Sequence, residues 1–137
     1  MINITYEIGK IPAINKLIDL FNCSDYFPIK DKSDLGRIEK MFKNSDIIIT
    51  AWENKKLIGL SRALSDFSYC CYLSDLCVRD EYKRNGIGRE LVTLTKQTAG
   101  DECKLILQSS SNAINFYKNI GMENIDSAFI FQRRIWC

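Results

Sequence analysis

Ile2, Ile4, Tyr6 and Ile8 alternate with polar neighbours at the start of the chain, and that period of two predicts a half-buried strand. The period then lengthens. Pro12 stands near a helix start, and Ile11, Ile14, Leu17, Ile18 and Phe21 recur at helical spacing. Residues 22–34 carry Pro28, several charges and the aromatics Tyr26 and Phe27, which predicts a loop. Leu35, Ile38, Met41 and Phe42 mark a second amphipathic helix ending near Asn44. Residues 47–52 form a continuous, β-branched apolar run, as expected of a strand buried on both faces. A polar turn at 53–56 and renewed alternation over 57–65 predict an antiparallel hairpin. A further strand covers 69–78, and the charged stretch 79–85 breaks the pattern.

Ile87, Leu91, Leu94, Thr95 and Thr98 restore helical spacing up to Gly100. Leu105, Ile106 and Leu107 make a short buried strand. Asn112 is placed to cap a helix carrying Ala113, Phe116, Tyr117 and Ile120, with Gly121 as its stop. Ile125 and residues 129–135 predict one or two closing strands. The order β-α-α-β-β-β-α-β-α-β(-β) is mixed α/β: a central sheet with helices on its faces.

Composition narrows the function classes. A length of 137 residues predicts one domain over 1–137, and 46% apolar with 26% charged residues is ordinary for a soluble globular chain. With 7 Gly and 2 Pro the low-complexity classes fall away. Nineteen Lys+Arg against 17 Asp+Glu leave +2, too weak a balance for a nucleic-acid binder. No apolar stretch reaches the ~20 residues of a membrane span. The N-terminus has no signal-peptide pattern, so a cytoplasmic chain is expected. Cys23, Cys70, Cys71, Cys77, Cys103 and Cys137 include no C-x-x-C pair, and the sequence has no His. Free thiols packed as small apolar residues are expected, with no metal site. The missing His also removes the usual Ser-His-Asp and Cys-His nucleophile machinery.

The chemistry concentrates in residues 73–92, which read as strand, charged turn, Gly86-Ile87-Gly88 and helix. A helix N-terminus leaves its first N–H groups unpaired and partially positive, which favours a phosphate. Glycines there admit close backbone approach and positive φ. Lys83, Arg84 and Arg89 add basic charge. A Rossmann fingerprint fails because Leu91 stands three residues after Gly88, and a P-loop is absent.

The segment resembles motif A of the GCN5-related N-acetyltransferase family: an apolar strand ending in Val, then Arg/Gln-x-x-Gly-x-Gly/Ala opening a helix. Val78, Tyr82, Lys83, Arg84, Asn85, Gly86, Ile87, Gly88 and Leu91 fall in step. Lys83 departs from the usual Arg or Gln and lacks a bidentate fork. Residues 112–122 resemble the family's motif B, Ala-x-x-Phe-Tyr-x-x-x-Gly-Phe, with Met122 in place of the last Phe.

The resemblance implies a mostly antiparallel sheet whose fourth and fifth strands, 69–78 and 104–108, run parallel and splay apart. It implies acetyl-CoA as cosubstrate, with pantetheine along Leu76, Cys77 and Val78 and diphosphate on Lys83, Arg84, Asn85, Gly86, Ile87 and Gly88. Asn112 belongs to the same set. The implied reaction is direct acetyl transfer to a primary amine of a small molecule or peptide. An alkyl ammonium must first lose its proton, the tetrahedral oxyanion needs a donor, and the CoA thiolate needs a proton. Tyr117 occupies the family's Tyr position and is the expected general acid. Spacing alone reads it as a core tyrosine on its helix's apolar face, and motif B reverses that reading.

The base stays open among Asp75, Glu53, Asp66, Tyr72 and a water chain. Residues 22–34 are either the acceptor wall, through Asp25, Asp31, Asp34, Tyr26 and Phe27, or a plain polar loop. Two other classes stay in view. One is an acetyl-CoA sensor without transfer, and the other a nucleic-acid module, which the charge disfavours. A homodimer is compatible with the resemblance.

Overall fold

The computed structural model describes residues 3–134. Its elements are β1 (Thr5–Ile8), α1 (Ile14–Asn22), α2 (Leu35–Lys43), β2 (Ile47–Glu53), β3 (Lys56–Ser65), β4 (Cys70–Val78), α3 (Ile87–Ala99), β5 (Lys104–Leu107) and α4 (Ile114–Asn119). Short 3-10 turns occupy Asp80–Tyr82 and Ser111–Ala113. The strands form one sheet in the order β1-β2-β3-β4-β5. Neighbours pair antiparallel except β4 and β5, which run parallel. The mixed α/β class and the parallel fourth and fifth strands match the sequence reading.

Two cores lie on opposite faces of the sheet. Leu17, Leu20 and Phe21 of α1 and Ile38 and Phe42 of α2 pack on Ile48, Leu57, Leu60 and Cys77. On the other face, Ile87, Leu91, Val92 and Ala99 of α3 pack on Ile47, Ile49, Ala51, Ile58, Ala63, Cys71 and Leu73. Gly59 permits that close approach, because a methyl built there would lie 3.1 Å from both Ile87 Cγ2 and Leu91 Cδ1. The buried Thr95 hydroxyl donates to the Leu91 carbonyl at 2.7 Å and lies 2.6 Å from Ser61 Oγ, so this polar pair in an apolar core is satisfied.

Cys71 and Leu73 face α3, whereas Cys77 faces α1 and α2. Strict alternation would put all three on one side. The switch comes from a β-bulge: Arg62 pairs with Asp75 and Ala63 with Leu73, leaving Ser74 as the extra residue. Arg62 holds the bulge from across the strand. Its Nε donates to Asp75, its Nη2 to Ser74 Oγ at 2.9 Å, and its Nη1 to Ser45 Oγ at 3.3 Å. Arg62 and Asp75 are both buried.

Two expectations need correction. The motif B helix is not capped by Asn112, which lies inside the 3-10 turn; α4 begins at Ile114 with Ala113 at the cap position and no side-chain cap. The closing strands do not form among the described residues, since 123–134 contain no strand and Phe129 is 98% exposed. Ile135 lies outside the described residues, as does Ile2 of the opening strand. The charged stretch 79–85 is partly buried. Arg79 is buried, donating to the Leu57 carbonyl at 2.7 Å and to Asp19, and Tyr82 is buried with its hydroxyl on Glu53.

Replacing Arg62 by Met leaves the buried Asp75 carboxylate without its cation. Such a broken pair typically costs about 3–5 kcal/mol, and urea unfolding of Arg62→Met should register a loss of that order. A second expectation concerns the β3–β4 turn, where the exposed Asp66 accepts from the N–H groups of Tyr69, Ser68 and Cys70. These bonds hold its carboxyl down at about 2, below the ~3.9 of an unfolded Asp. Its stabilisation is therefore present above pH ~4 and lost as pH falls through about 2. Thermal melts of Asp66→Asn should show a Tm deficit at neutral pH that closes in that acidic window.

Candidate active site

The parallel pairing of β4 and β5 is short. It runs from Cys70↔Lys104 to Leu73↔Leu107 and stops. β4 continues through Ser74, Asp75, Leu76 and Cys77 to Val78 with β3 on one side and, among the described residues, no strand on the other. The end of the pairing coincides with the Ser74 bulge, which bends β4 and increases its local twist. The result is a slot bounded by the open edge of β4. Leu76 and Val78 are half-buried beside it and Cys77 points into the α1/α2 core. Burial pushes the Cys77 thiol well above its usual range, so it stays protonated and unreactive.

β4 leads directly to the turn before α3. Asn85 donates its side-chain amide to the carbonyls of Tyr82 at 2.9 Å and Lys83 at 3.2 Å, so it shapes the turn. Gly86 then takes the left-handed conformation, φ +77°, at the helix cap position, and no side chain caps the helix. The first intrahelical bond runs from the Glu90 N–H to the Gly86 carbonyl at 3.1 Å. Ahead of it lie the N–H groups of Ile87, Gly88 and Arg89, the ordinary orphan donors of a helix start. A methyl built on Gly86 would meet nothing within 4 Å, so this side of the turn is open.

Gly88 serves a different purpose. A methyl there would lie 3.0 Å from Phe116 Cζ, so the missing side chain lets α4 close onto the first turn of α3. Phe116 packs edge-on against Tyr117 at 5.0 Å between ring centroids. α4 and the α3 turn are thus neighbours, and the expected acid lies one residue from the ring that touches the turn. Burial raises the Tyr117 phenol above its ordinary value, keeping it a neutral O–H donor.

Positive charge around the turn is unevenly available. Lys83 Nζ is already engaged by Asp80 at 2.9 Å and by Asp25 at 3.1 Å, which ties the 22–34 loop to the turn. Arg84 is exposed and held at φ +68°, a conformation costly for a residue with a side chain. Arg89 is exposed on the first turn of α3. Asn112 is exposed, with Ser111 Oγ donating to its Oδ1 at 3.3 Å.

The base candidates separate clearly. Asp75 is taken by Arg62 and by the Tyr26 hydroxyl, Glu53 accepts from Tyr82, and Asp66 is spent on its turn. Tyr72 is exposed. Tyr26 is locked as a neutral phenol by burial and by the Asp75 charge. The sequence reading missed Arg62, whose only signal was a lone charge in an apolar strand. Among the described residues no group of His, Cys, Asp and Glu is arranged to hold a metal ion, and no helix is long and apolar enough to cross a membrane.

Comparison with known proteins agrees with this geometry. Residues 29–134 match the model of the acetyltransferase (GNAT) domain. GCN5-related N-acetyltransferase 2, chloroplastic, of Arabidopsis thaliana is 34% identical over 76 residues, covering 52% of this chain and 28% of that protein. Histone acetyltransferase TAP1 of Glycine max is 33% identical over 76 residues, covering 52% and 32%. The chain therefore spans about a third or less of these curated relatives. A protein of unknown function and probable acetyltransferase from meticillin-resistant Staphylococcus aureus superposes with a TM-score of 0.76 at 18% identity, over 98% of this chain and 100% of that one. The aminoglycoside N-acetyltransferase AAC(6')-Iy in complex with CoA gives 0.75 at 11%, over 98% and 97%. By its domain match, this chain belongs to the GNAT acetyltransferase family.

Proposed function

We propose that the chain transfers the acetyl group of acetyl-CoA directly to a primary amine of a small molecule or peptide. The observation that carries this reading is the open β4 edge from Ser74 to Val78 leading straight into an uncapped α3 N-terminus. An extended pantetheine arm offers amide groups that pair with the free backbone along Leu76, Cys77 and Val78, as an added strand would. The diphosphate falls to the N–H groups of residues 86–88 and to Arg84, with Lys83 at the margin because two carboxylates already hold it. Asn85 contributes by fixing the turn, Ile87 and Gly88 by their backbone, and Asn112 by its position ahead of α4.

Tyr117 is assigned as the general acid for the departing thiolate. A phenol kept neutral holds its proton until a thiolate, the base of a thiol with pKa ~8.5, appears beside it. The candidate carboxylates Asp75, Glu53 and Asp66 are all engaged, so amine deprotonation is assigned to solvent through bound water. The acceptor reaches the slot beside the 22–34 loop, which Tyr26–Asp75 and Lys83–Asp25 hold against β4 and the turn. Relatives named for histone and aminoglycoside acetylation support an amine acceptor in general.

The deciding experiment is calorimetric titration with acetyl-CoA followed by a panel of amines and peptides. Released CoA should be read by chromatography, because the exposed Cys23 and Cys70 would react with thiol reagents. Absence of acetyl-CoA binding would sink the reading; binding without release across the panel would favour a sensor. Tyr117→Phe should lower kcat by roughly 100-fold or more while leaving acetyl-CoA affinity within about threefold. Arg84→Gly should divide stability from binding. It relieves a left-handed residue worth about 1 kcal/mol and so raises Tm, yet removes a phosphate cation and weakens acetyl-CoA binding.

A further inference from the structure

Cys70, Cys71 and Cys103 gather where β4 and β5 begin, at the opposite end of β4 from the turn before α3. The β3–β4 turn arranges them. Asp66 is fixed by three backbone N–H groups. One of its carboxylate oxygens accepts from the Cys70 thiol at 3.8 Å and the other from the Cys103 thiol at 3.9 Å. Ser65 Oγ donates to the Cys70 carbonyl at 3.1 Å and lies 3.8 Å from Cys103 Sγ. Two thiols from different parts of the chain therefore converge on one turn. Their contacts with Asp66 are long and weak beside its N–H bonds, so the carboxylate stays satisfied without them.

Backbone register selects the pair. Cys70 stands opposite Lys104, the residue after Cys103. With strands ~4.8 Å apart and residues ~3.3 Å along them, the Cα atoms of Cys70 and Cys103 lie roughly 6 Å apart, inside the ~4.4–6.8 Å that a disulfide spans. Cys71 stands opposite Leu105, two residues past Cys103. That longer diagonal is roughly 8 Å, beyond the ~7 Å limit for bridging. Access also differs, since Cys70 is exposed and Cys103 is buried. A reagent from solution meets Cys70 first, and Cys103 is reached from within.

We infer that Cys70 and Cys103 form a modification site, a dithiol that a low-molecular-weight disulfide of the glutathione type oxidises to an intramolecular bridge. The Cys70 thiolate attacks one sulfur of glutathione disulfide, and the first glutathione leaves as a thiolate. The Cys103 thiolate then attacks the Cys70 sulfur of the mixed disulfide, and the second glutathione leaves. The two protons given up by the cysteines end on the two glutathiones. Desolvation, followed by the Asp66 charge, raises the Cys70 thiol above its ordinary value, so the first attack is slow at neutral pH and quickens as pH rises. The bridge encloses β4, the following turn and α3 in one loop, and it fastens β5 to β4 at the end away from the slot. The inference rests on thiol geometry and stands whether or not the slot binds acetyl-CoA.

The test is incubation of the reduced whole chain with glutathione disulfide at about pH 8.5, near the ordinary thiol pKa. Thiols are then counted and cross-linked peptides mapped by mass spectrometry. Two of the six thiols should disappear with no glutathione retained, and the mapped bridge should join Cys70 to Cys103. Tm should rise by roughly 5–15 °C and return on adding dithiothreitol, and hydrogen exchange at residues 104–107 should slow. Cys70→Ser and Cys103→Ser should each abolish the bridge, whereas Cys71→Ala should form it at the parent rate. Glutathione retained on Cys70 without a bridge overturns the proposal. So does a bridge through any other cysteine, or one that forms only after unfolding in urea. Should the buried Cys103→Ser variant fail to fold, Cys70→Ser at its exposed position decides.

Discussion

The geometry of this protein turns on one extra residue in β4. Ser74 has no partner across the β3–β4 ladder, and the side chains before and after it change faces. A bulge is costly unless its surroundings over-determine it, and here they do: Arg62 reaches both Ser74 and Asp75, and Tyr26 closes on Asp75 from the 22–34 loop. The bend this fixes ends the pairing with β5 at Leu73. The buried ion pair is best understood as a device that specifies one backbone path. An apolar pair could give as much stability, but it would not choose the register.

The turn before α3 follows a similar economy. The donors on which the proposed diphosphate site relies are main-chain groups, oriented by Gly86 and by Asn85 holding the carbonyls of Tyr82 and Lys83. Side-chain cations add less than their number indicates, since Lys83 is shared between Asp25 and Asp80. That sharing explains how Lys can stand at a position the family gives to Arg or Gln: its ammonium knits the loop to the turn. The two glycines of the motif answer to different constraints, Gly86 to a left-handed φ and Gly88 to the Phe116 ring.

Periodicity made most of the framework legible, because long amphipathic segments such as Ile87–Ala99 and apolar runs such as Ile47–Glu53 leave no other arrangement. It failed where local rules yield to tertiary contacts. Neither the Ser74 bulge nor the one that leaves Ile58 unpaired opposite Ala51 and Trp52 alters the alternation enough to be read from sequence. Arg79 reads from sequence only as part of a charged turn, because nothing local announces Asp19 and the Leu57 carbonyl as its partners. Asn112 had the right side chain to cap a helix, yet the chain spends its position in a 3-10 turn. For the site, the motifs located the turn and the α4 Tyr, and the geometry then supplied what no motif carries: which carboxylates are already engaged.

The slot and the sheet edge are two consequences of the same bend. Once β4 turns away at Ser74, β5 keeps only four residues of parallel pairing and, among the described residues, is paired on one side alone. A strand so short and so lightly held is a poor wall for a site whose opposite boundary is rigid. Its inner side beyond Leu107 cannot be zipped to β4 without closing the slot.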